Sequence, residues 1–197
     1  MTTSTFQPAD AKPFFEQQLP WWIAGGWAID LAVGRQTRPH EDLDVAILRR
    51  DQAALIPILE AWDVRSVIEP GVLQPWDLHE TVPAELHALW CRPRQDDRWA
   101  FEILLNDADG TEWLFRRNNA VRLPLHQMGR VSVDGLPFLA PEVVLLFKAK
   151  NARERDEHDL NQALPRLSAD ERAWLHDAIA LVHPGHPWLT RFHEDQN

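Results

Sequence analysis

The sequence predicts an α+β protein, with strands and helices mixed through residues 1–139 and helices alone in residues 140–197. Short apolar runs that suit strands alternate with glycine, proline and aspartate turn signals up to residue 139. Beyond Pro141 the apolar positions change to helical spacing, as at Val143 and Phe147. We therefore expect a first domain at residues 1–139 and a helical C-terminal region at 140–197 that packs on the cleft of the first.

The first third of the chain alternates between helix and strand signals. Helices are predicted at residues 10–19, 27–33 and 51–62, and strands at 21–24, 43–48 and 64–69. Asp10 and Asp51 are expected to cap their helices, Gly34 to end the second helix, and Pro57 to kink the third. The segment from residue 21 to residue 33 is therefore a strand, a tight glycine turn and a helix.

The middle of the chain predicts hairpins, and its end predicts helices. Residues 85–91 and 99–105 suit an antiparallel pair, and Asp134-Gly135 joins residues 131–133 to 137–139 as a hairpin turn. Helices are expected at residues 153–164 and 168–182. The second of these begins with Ser168 and Glu171 in capping-box spacing.

Composition excludes several classes of protein. The chain carries 20 basic and 30 acidic residues, a formal net charge of −10. This charge argues against a general nucleic-acid binder, and a cationic or metal-bridged ligand fits it better. A single cysteine, Cys91, excludes an intramolecular disulfide framework. Apolar runs are far shorter than the ~20 residues of a membrane-spanning helix. Since no secretory signal is visible, a cytoplasmic protein is expected.

Two features between residues 25 and 44 carry the chemistry. Gly25-Gly26 opens a helix directly after a strand, where free backbone N–H groups can cradle a phosphate. Asp42 and Asp44 begin the next strand, and alternation places them on one face, about 7 Å apart along the strand. Two like charges on one face need a compensating cation. A magnesium–triphosphate site would supply both the cation and the phosphate.

A third carboxylate is expected from a neighbouring strand. Glu102 interrupts the apolar run 99–105, where an unpaired charge is costly. It could bind the metal, or it could pair with a nearby arginine such as Arg116 or Arg117. The sequence alone leaves both alternatives open.

The residues from Gly25 to Asp44, GGWAIDLAVGRQTRPHEDLD, resemble the active-site signature of the polymerase-β-type nucleotidyltransferase superfamily. The form GGWAID followed by GRQTRPHEDLD is similar to the branch that contains aminoglycoside and lincosamide nucleotidyltransferases. The resemblance is specific over residues 21–48 and looser in FEILLND, EWLFRRN and PFLAPEVVLLFKAK. It implies a mixed sheet of the nucleotidyltransferase type, flanked by helices.

The resemblance also implies an activity and a set of site residues. The activity is transfer of a nucleoside monophosphate, AMP from ATP in most members, onto a hydroxyl group. Gly25 and Gly26 would hold the triphosphate. Asp42, Asp44 and Glu102 would be the catalytic and Mg²⁺-binding carboxylates, with Glu102 either a metal ligand or the general base.

Basic residues near this signature are candidates for binding the nucleotide. Lys148 and Lys150 end one predicted helix at i, i+2 spacing, so they point in different directions and only one should reach a cleft. We favour Lys148 as a residue that binds the nucleotide. The alternative is that the lysines only complement the negative end of the helix dipole. Arg38 could touch a phosphate or lie on the surface.

The acidic balance suits a small hydroxylated acceptor, including a polycation such as an aminoglycoside. The alternatives are a protein or tRNA acceptor, of the toxin–antitoxin type, or a non-catalytic nucleotide-binding module. The acidic net charge speaks against a tRNA acceptor.

Overall fold

The computed structural model describes residues 6–69 and 71–196. Six α-helices lie in this part of the chain: α1 (Pro8–Phe15), α2 (Gly25–Val33), α3 (Leu55–Leu59), α4 (Pro141–Lys148), α5 (Glu154–Ala163) and α6 (Ala169–Val182). Short 3-10 segments precede α3 at Arg49–Ala54 and follow α4 at Ala149–Asn151.

Ten strands form one mixed sheet: β1 (Trp21–Ile23), β2 (Asp44–Leu48), β3 (Trp62–Glu69), β4 (Val72–Pro75), β5 (Ala88–Pro93), β6 (Phe101–Asp109), β7 (Glu112–Leu114), β8 (Arg122–Pro124), β9 (Gly129–Val131) and β10 (Pro137–Leu139). The order is β4-β3-β5-β6-β2-β1-β10-β9, and β7 joins the far end of β6 to β8. β2 runs parallel to β6 and antiparallel to β1. The predicted class, a mixed sheet flanked by helices and followed by a helical C-terminal part, is confirmed.

The centre of the sheet explains the apolar sequence of β2. Val45, Ala46 and Ile47 have no exposed surface, because β2 has a partner on both edges and is covered on both faces. Helix α4 buries its residues 141–146 as well. This packing places the C-terminal end of α4 beside the first residues of β2 and β6. The division into domains at residue 139 stays a prediction.

Three of the predicted helices differ from the structure. Helix α1 runs from residue 8 to residue 15, because Pro8 suits its first turn; Asp10 lies inside it and accepts a hydrogen bond from the Gln7 backbone N–H at 2.7 Å. The predicted helix 51–62 is a 3-10 segment followed by five α-helical residues around Pro57, and residue 62 already belongs to β3.

The third difference lies at the glycine pair. Helix α2 begins at Gly25 itself, so the glycines form its first turn, where a separate turn was expected. Its C-terminal end agrees with the prediction, since Gly34 adopts a left-handed conformation with φ of 82°. The two predicted hairpins and the Ser168–Glu171 capping box are present. Within the described residues, no helix is long and apolar enough to cross a membrane.

Candidate active site

The candidate site is a cleft of about 600 Å³ between the sheet and the end of α4. Its floor is formed by the start of β2 and by one face of β6, where Glu102, Leu104 and Asn106 alternate with core residues. Gly25 of α2 lies at one end of the cleft and Lys148 of α4 lies on the opposite wall. Four of the seven predicted site residues, Gly25, Asp44, Glu102 and Lys148, therefore line one cavity.

Asp44 and Glu102 are directly paired across the parallel strands β2 and β6. Burial and the charge of Asp42 raise the pKa of Asp44 to about 7, against the smaller lowering effects of Lys148 and Arg155. Burial and the two aspartates also raise the pKa of Glu102 well above its ordinary value. The carboxylates are therefore desolvated and carry uncompensated negative charge, as expected of groups that bind a cation.

The remaining carboxylate, Asp42, lies just before β2, which begins at Asp44, one residue later than the predicted strand 43–48. It does not line the cleft, yet its charge acts on both Asp44 and Glu102. The donor chemistry fits a divalent cation, because Mg²⁺ prefers carboxylate oxygens. Among residues 6–69 and 71–196, however, no three acidic, His or Cys side chains are already gathered closely enough to hold a metal ion.

The two glycines make room for neighbouring side chains. Gly25 has φ of 60°, and a Cβ atom there would overlap the carboxylate of Asp44. A Cβ atom on Gly26 would overlap the guanidinium of Arg38 and the ring of His40. Gly25 thus brings the first turn of α2 against the carboxylate pair, whereas Gly26 admits the loop that precedes β2.

That loop, residues 34–43, is attached to α2 by the buried Asp30, which no pattern in the sequence singles out. Asp30 accepts hydrogen bonds from the Thr37 backbone N–H at 3.0 Å and from its hydroxyl, and its other oxygen contacts His40 Nε2. The His40 ring also stacks on Trp27, with 4.2 Å between ring centroids. The position of Asp42 and Asp44 therefore depends on Asp30.

A second attachment joins the same loop to α5. The Arg38 guanidinium donates to both carboxylate oxygens of Asp159, at 2.8 and 2.9 Å. Lys148 Nζ lies 2.9 Å from Asp159 and 2.8 Å from Asp156, and Asp156 also accepts from Arg153 Nε at 2.9 Å. Arg38 therefore holds the loop in place here, and its predicted contact with a nucleotide stays a prediction.

The opposite end of the cleft is basic. Arg116 and Arg117 follow β7 and line the cavity together with both Lys148 and Lys150. The expectation that only one of the two lysines would reach the cleft was wrong. Helix α4 ends at Lys148, and the 3-10 turn that follows it places Lys150 at the cleft as well. In the described residues Glu102 forms no ion pair with an arginine, so Arg116 and Arg117 are left facing the cavity.

Comparisons with known proteins show the family to which the chain belongs. The family model described as aminoglycoside-2''-adenylyltransferase matches residues 12–162. A 2''-aminoglycoside nucleotidyltransferase of Escherichia coli is 47% identical over 45 residues, which are 23% of this chain and 25% of that protein. One of Klebsiella pneumoniae is 60% identical over 30 residues, 15% of this chain and 17% of that protein. This chain thus spans about a quarter or less of the curated relatives it matches.

Solved structures share the fold at low sequence identity. The crystal structure of ANT(2")-Ia in complex with adenylyl-2"-tobramycin is 16% identical, with a TM-score of 0.55, over 88% of this chain and 94% of that one. The lincomycin-bound lincosamide adenylyltransferase LnuA is 17% identical, with a TM-score of 0.55, over 81% and 96%. The family match covers most of the sheet, the cleft, Asp42 in the loop and Asp44 in β2, and the chain belongs to the aminoglycoside-2''-adenylyltransferase family.

Proposed function

We propose that the protein is a Mg²⁺-dependent nucleotidyltransferase that moves a nucleoside monophosphate, AMP from ATP in the first instance, onto a hydroxyl group of a small molecule. The observation that carries the proposal is the desolvated pair Asp44–Glu102, which faces a cleft at the first turn of α2. Nucleotidyl transfer needs positioning and charge stabilisation more than covalent help. The cleft offers carboxylates, helix N-terminal amides and a lysine for those tasks.

Each residue has a defined part in this reaction. Asp42, Asp44 and Glu102 would hold Mg²⁺, which when bound neutralises charge on the phosphates. The acceptor oxygen forms a bond to the α-phosphorus while the bond from that phosphorus to pyrophosphate breaks. If Glu102 is not itself a ligand of the metal and lies within hydrogen-bond reach of the acceptor, it would instead accept the acceptor proton as the general base, and its raised pKa in the metal-free site favours that role.

Pyrophosphate release tests the proposal directly. We expect release from ATP and Mg²⁺ in the presence of an acceptor, with tobramycin and lincomycin as the first acceptors because proteins of this family and fold bind them. Asp44→Ala should lose the activity and keep the fold, as judged by circular dichroism. Asp177→Ala, on an exposed side chain of α6, should keep the wild-type rate.

Two outcomes would contradict parts of the proposal. Wild-type turnover by Asp44→Ala would remove the carboxylate assignment. Binding of ATP without release of pyrophosphate with any acceptor would favour the non-catalytic module. A cytoplasmic location stays part of the proposal, since the lone buried Cys91 suits a reducing compartment.

A further inference from the structure

We infer that the end of the cleft formed by Arg116 and Arg117 binds an oxyanion, a phosphate or carboxylate group, carried by the acceptor. This inference rests on the proposed function and narrows its acceptor class. It begins from the charges of the side chains that line the cleft: Asp44 and Glu102 lie by Gly25, whereas the charges that act on His87, another lining residue, are chiefly those of Arg116 and Arg49.

The two guanidinium groups lack an acidic partner. Within the described part of the chain, no carboxylate lies within ion-pair distance of either one. Asp107 is the nearest acidic influence on Arg116, and it is already bound by Arg49, with Nε 2.6 Å from Oδ1. Arg49 and Arg116 thus share one aspartate, and among the described residues the charge that acts on Arg117 is that of Arg116, which leaves positive charge to be balanced by a ligand.

Both arginines are held in place by Phe147. The Arg117 guanidinium donates to the Phe147 backbone carbonyl at 2.9 Å. The Arg116 and Arg117 guanidinium carbons lie 5.6 and 5.4 Å from the centre of the Phe147 ring. The side chains are therefore oriented before a ligand arrives, which lowers the entropy lost on binding.

The neighbouring side chains add donors and no negative charge. His87 lines the same end, and burial together with Arg116 and Arg49 lowers its pKa, so the ring is neutral. Its Nδ1 accepts from Arg49 at 3.0 Å, which leaves the proton on Nε2. A neutral histidine donor beside two guanidinium forks suits an oxyanion.

This end is separate from the expected triphosphate position. Asn106, which lines it, lies four residues beyond Glu102 on β6, roughly 13 Å along the strand. The charges that act most on Asp44 are Asp42, Lys148 and Arg155, whereas those on Arg116 are Asp107 and Arg49. A nucleotide held at Gly25 and Lys148 leaves the arginine end to the acceptor.

The positive charge of the Arg116–Arg117 end favours an anionic acceptor over a polycationic one. Asp156 also lines the cleft, but Lys148 and Arg153 neutralise it. A polycation would therefore find few free carboxylates beyond the catalytic ones, whereas an acceptor with one oxyanion would meet the unpaired arginines. Structures of the same fold are known with adenylyl-2"-tobramycin or with lincomycin bound.

The test uses matched sugars and keeps the nucleotide site filled. Calorimetry on the whole protein, saturated with Mg²⁺ and a non-hydrolysable ATP analogue, compares glucose 6-phosphate and glucuronate with glucose, glucosamine and tobramycin. We expect at least one anionic sugar to bind roughly tenfold to a hundredfold more tightly than glucose. Comparison of the two anionic sugars separates a phosphate from a carboxylate preference.

Variants assign the preference to the arginines. Arg116→Gln and Arg117→Gln should remove the preference for the anionic sugar and change the affinity for the ATP analogue less than twofold. Arg98→Gln, an exposed arginine paired with Asp96, is the matched control and should behave as wild type. Thermal melting confirms that each variant is folded. If the glutamine variants do not fold, Arg117→Lys replaces them, because it keeps the positive charge and removes only the guanidinium group.

Three results would overturn the inference: no binding of either anionic sugar, equal affinity for glucose and the anionic sugars, or loss of affinity for the ATP analogue in place of the sugar. Pyrophosphate release that depends on Asp44 is measured separately. If that release persists while the preference for anionic sugars is absent, only this inference fails and the proposed function stands.

Discussion

At the scale of single residues, the Asp44–Glu102 pair carries an electrostatic cost that a bound cation would relieve. Asp44 and Glu102 are adjacent on parallel strands; burial and the charge of Asp42 raise the pKa of Asp44, and burial and the charges of both aspartates raise the pKa of Glu102. A carboxylate whose pKa is raised in the folded protein destabilises the fold at pH values above that pKa. Active sites commonly carry such a cost, since the same charge is needed for function.

We therefore predict that Asp44→Asn stabilises the metal-free protein while it removes activity. At pH 8, above the pKa of about 7 that Asp44 has in the fold, the variant loses a repelling charge. The expected gain is on the order of 1–2 kcal/mol in the free energy of unfolding. Urea denaturation in the presence of a chelator measures it, and a variant less stable than wild type would contradict the repulsion.

Asp156 shows the opposite case of a paired carboxylate. Burial alone would raise its pKa, but hydrogen bonds from Arg153 and Lys148 hold the pKa at about 2. Because this pKa is lower in the folded than in the unfolded chain, the stabilisation is complete above the unfolded value of about 4 and is lost as the pH falls through about 2.

Asp156→Asn should therefore be less stable than wild type by about 1–2 kcal/mol at pH 7, with the difference shrinking between pH 4 and pH 2. Thermal melting at a series of pH values measures this difference. Asp170→Asn, on an exposed residue of α6, serves as the control and should follow wild type at every pH. A difference that is constant down to pH 2 would mean that Asp156 acts through packing.

At the scale of elements, the loop at residues 34–43 carries Asp42, leads directly into Asp44 at the start of β2, and is attached to α2 by Asp30. Asp30→Ala removes all three of its contacts with Thr37 and His40, whereas Thr37→Val removes only the hydroxyl contact. Loss of such supporting contacts costs roughly tenfold to a hundredfold in metal affinity or activity.

We predict that Asp30→Ala raises the Mg²⁺ concentration needed for half-maximal pyrophosphate release by at least about tenfold, and that Thr37→Val has a smaller effect. Hydrogen exchange of residues 34–43 should quicken in the same order. An unchanged Mg²⁺ requirement with faster exchange would show that the loop can loosen without moving the carboxylates.

The elements also explain what could be predicted from the sequence. Asp44 and Glu102 were predictable because each is a charge in an apolar strand, and a local pattern reveals that conflict. Asp159 and Asp156 were not, since their partners Arg38 and Lys148 lie in other elements and only the fold brings them together. Lys150 was misjudged because a 3-10 turn replaced the continuous helix on which the spacing argument relied.

At the scale of the whole molecule, the net charge of −10 does not describe the cleft. The excess acid lies mostly on other surfaces, while the cleft combines one desolvated acidic end with a basic end. Buried charges also connect the sheet side of the molecule to its helical C-terminal part. Asp159 is fully buried on α5 and binds both Arg38 of the loop and Lys148 of α4.

This buried connection can be compared with an exposed one between the same two segments. Arg155 on α5 lies 3.4 Å from Glu41 in the loop, and both side chains are open to solvent. Removing one partner of a buried pair leaves an uncompensated charge and costs about 3–5 kcal/mol, whereas an exposed pair contributes about 0–1 kcal/mol.

We therefore predict that Asp159→Ala lowers the free energy of unfolding by about 3 kcal/mol and that Glu41→Ala changes it by less than about 1 kcal/mol. Urea denaturation of both variants at pH 7 supplies the comparison. Asp159→Ala should also increase proteolytic cleavage between α2 and β2, because Arg38 then loses its anchor. If both variants lost the same small amount of unfolding free energy, packing would hold the loop to α5. Asp30 would then be the charged residue that positions the loop and Asp42.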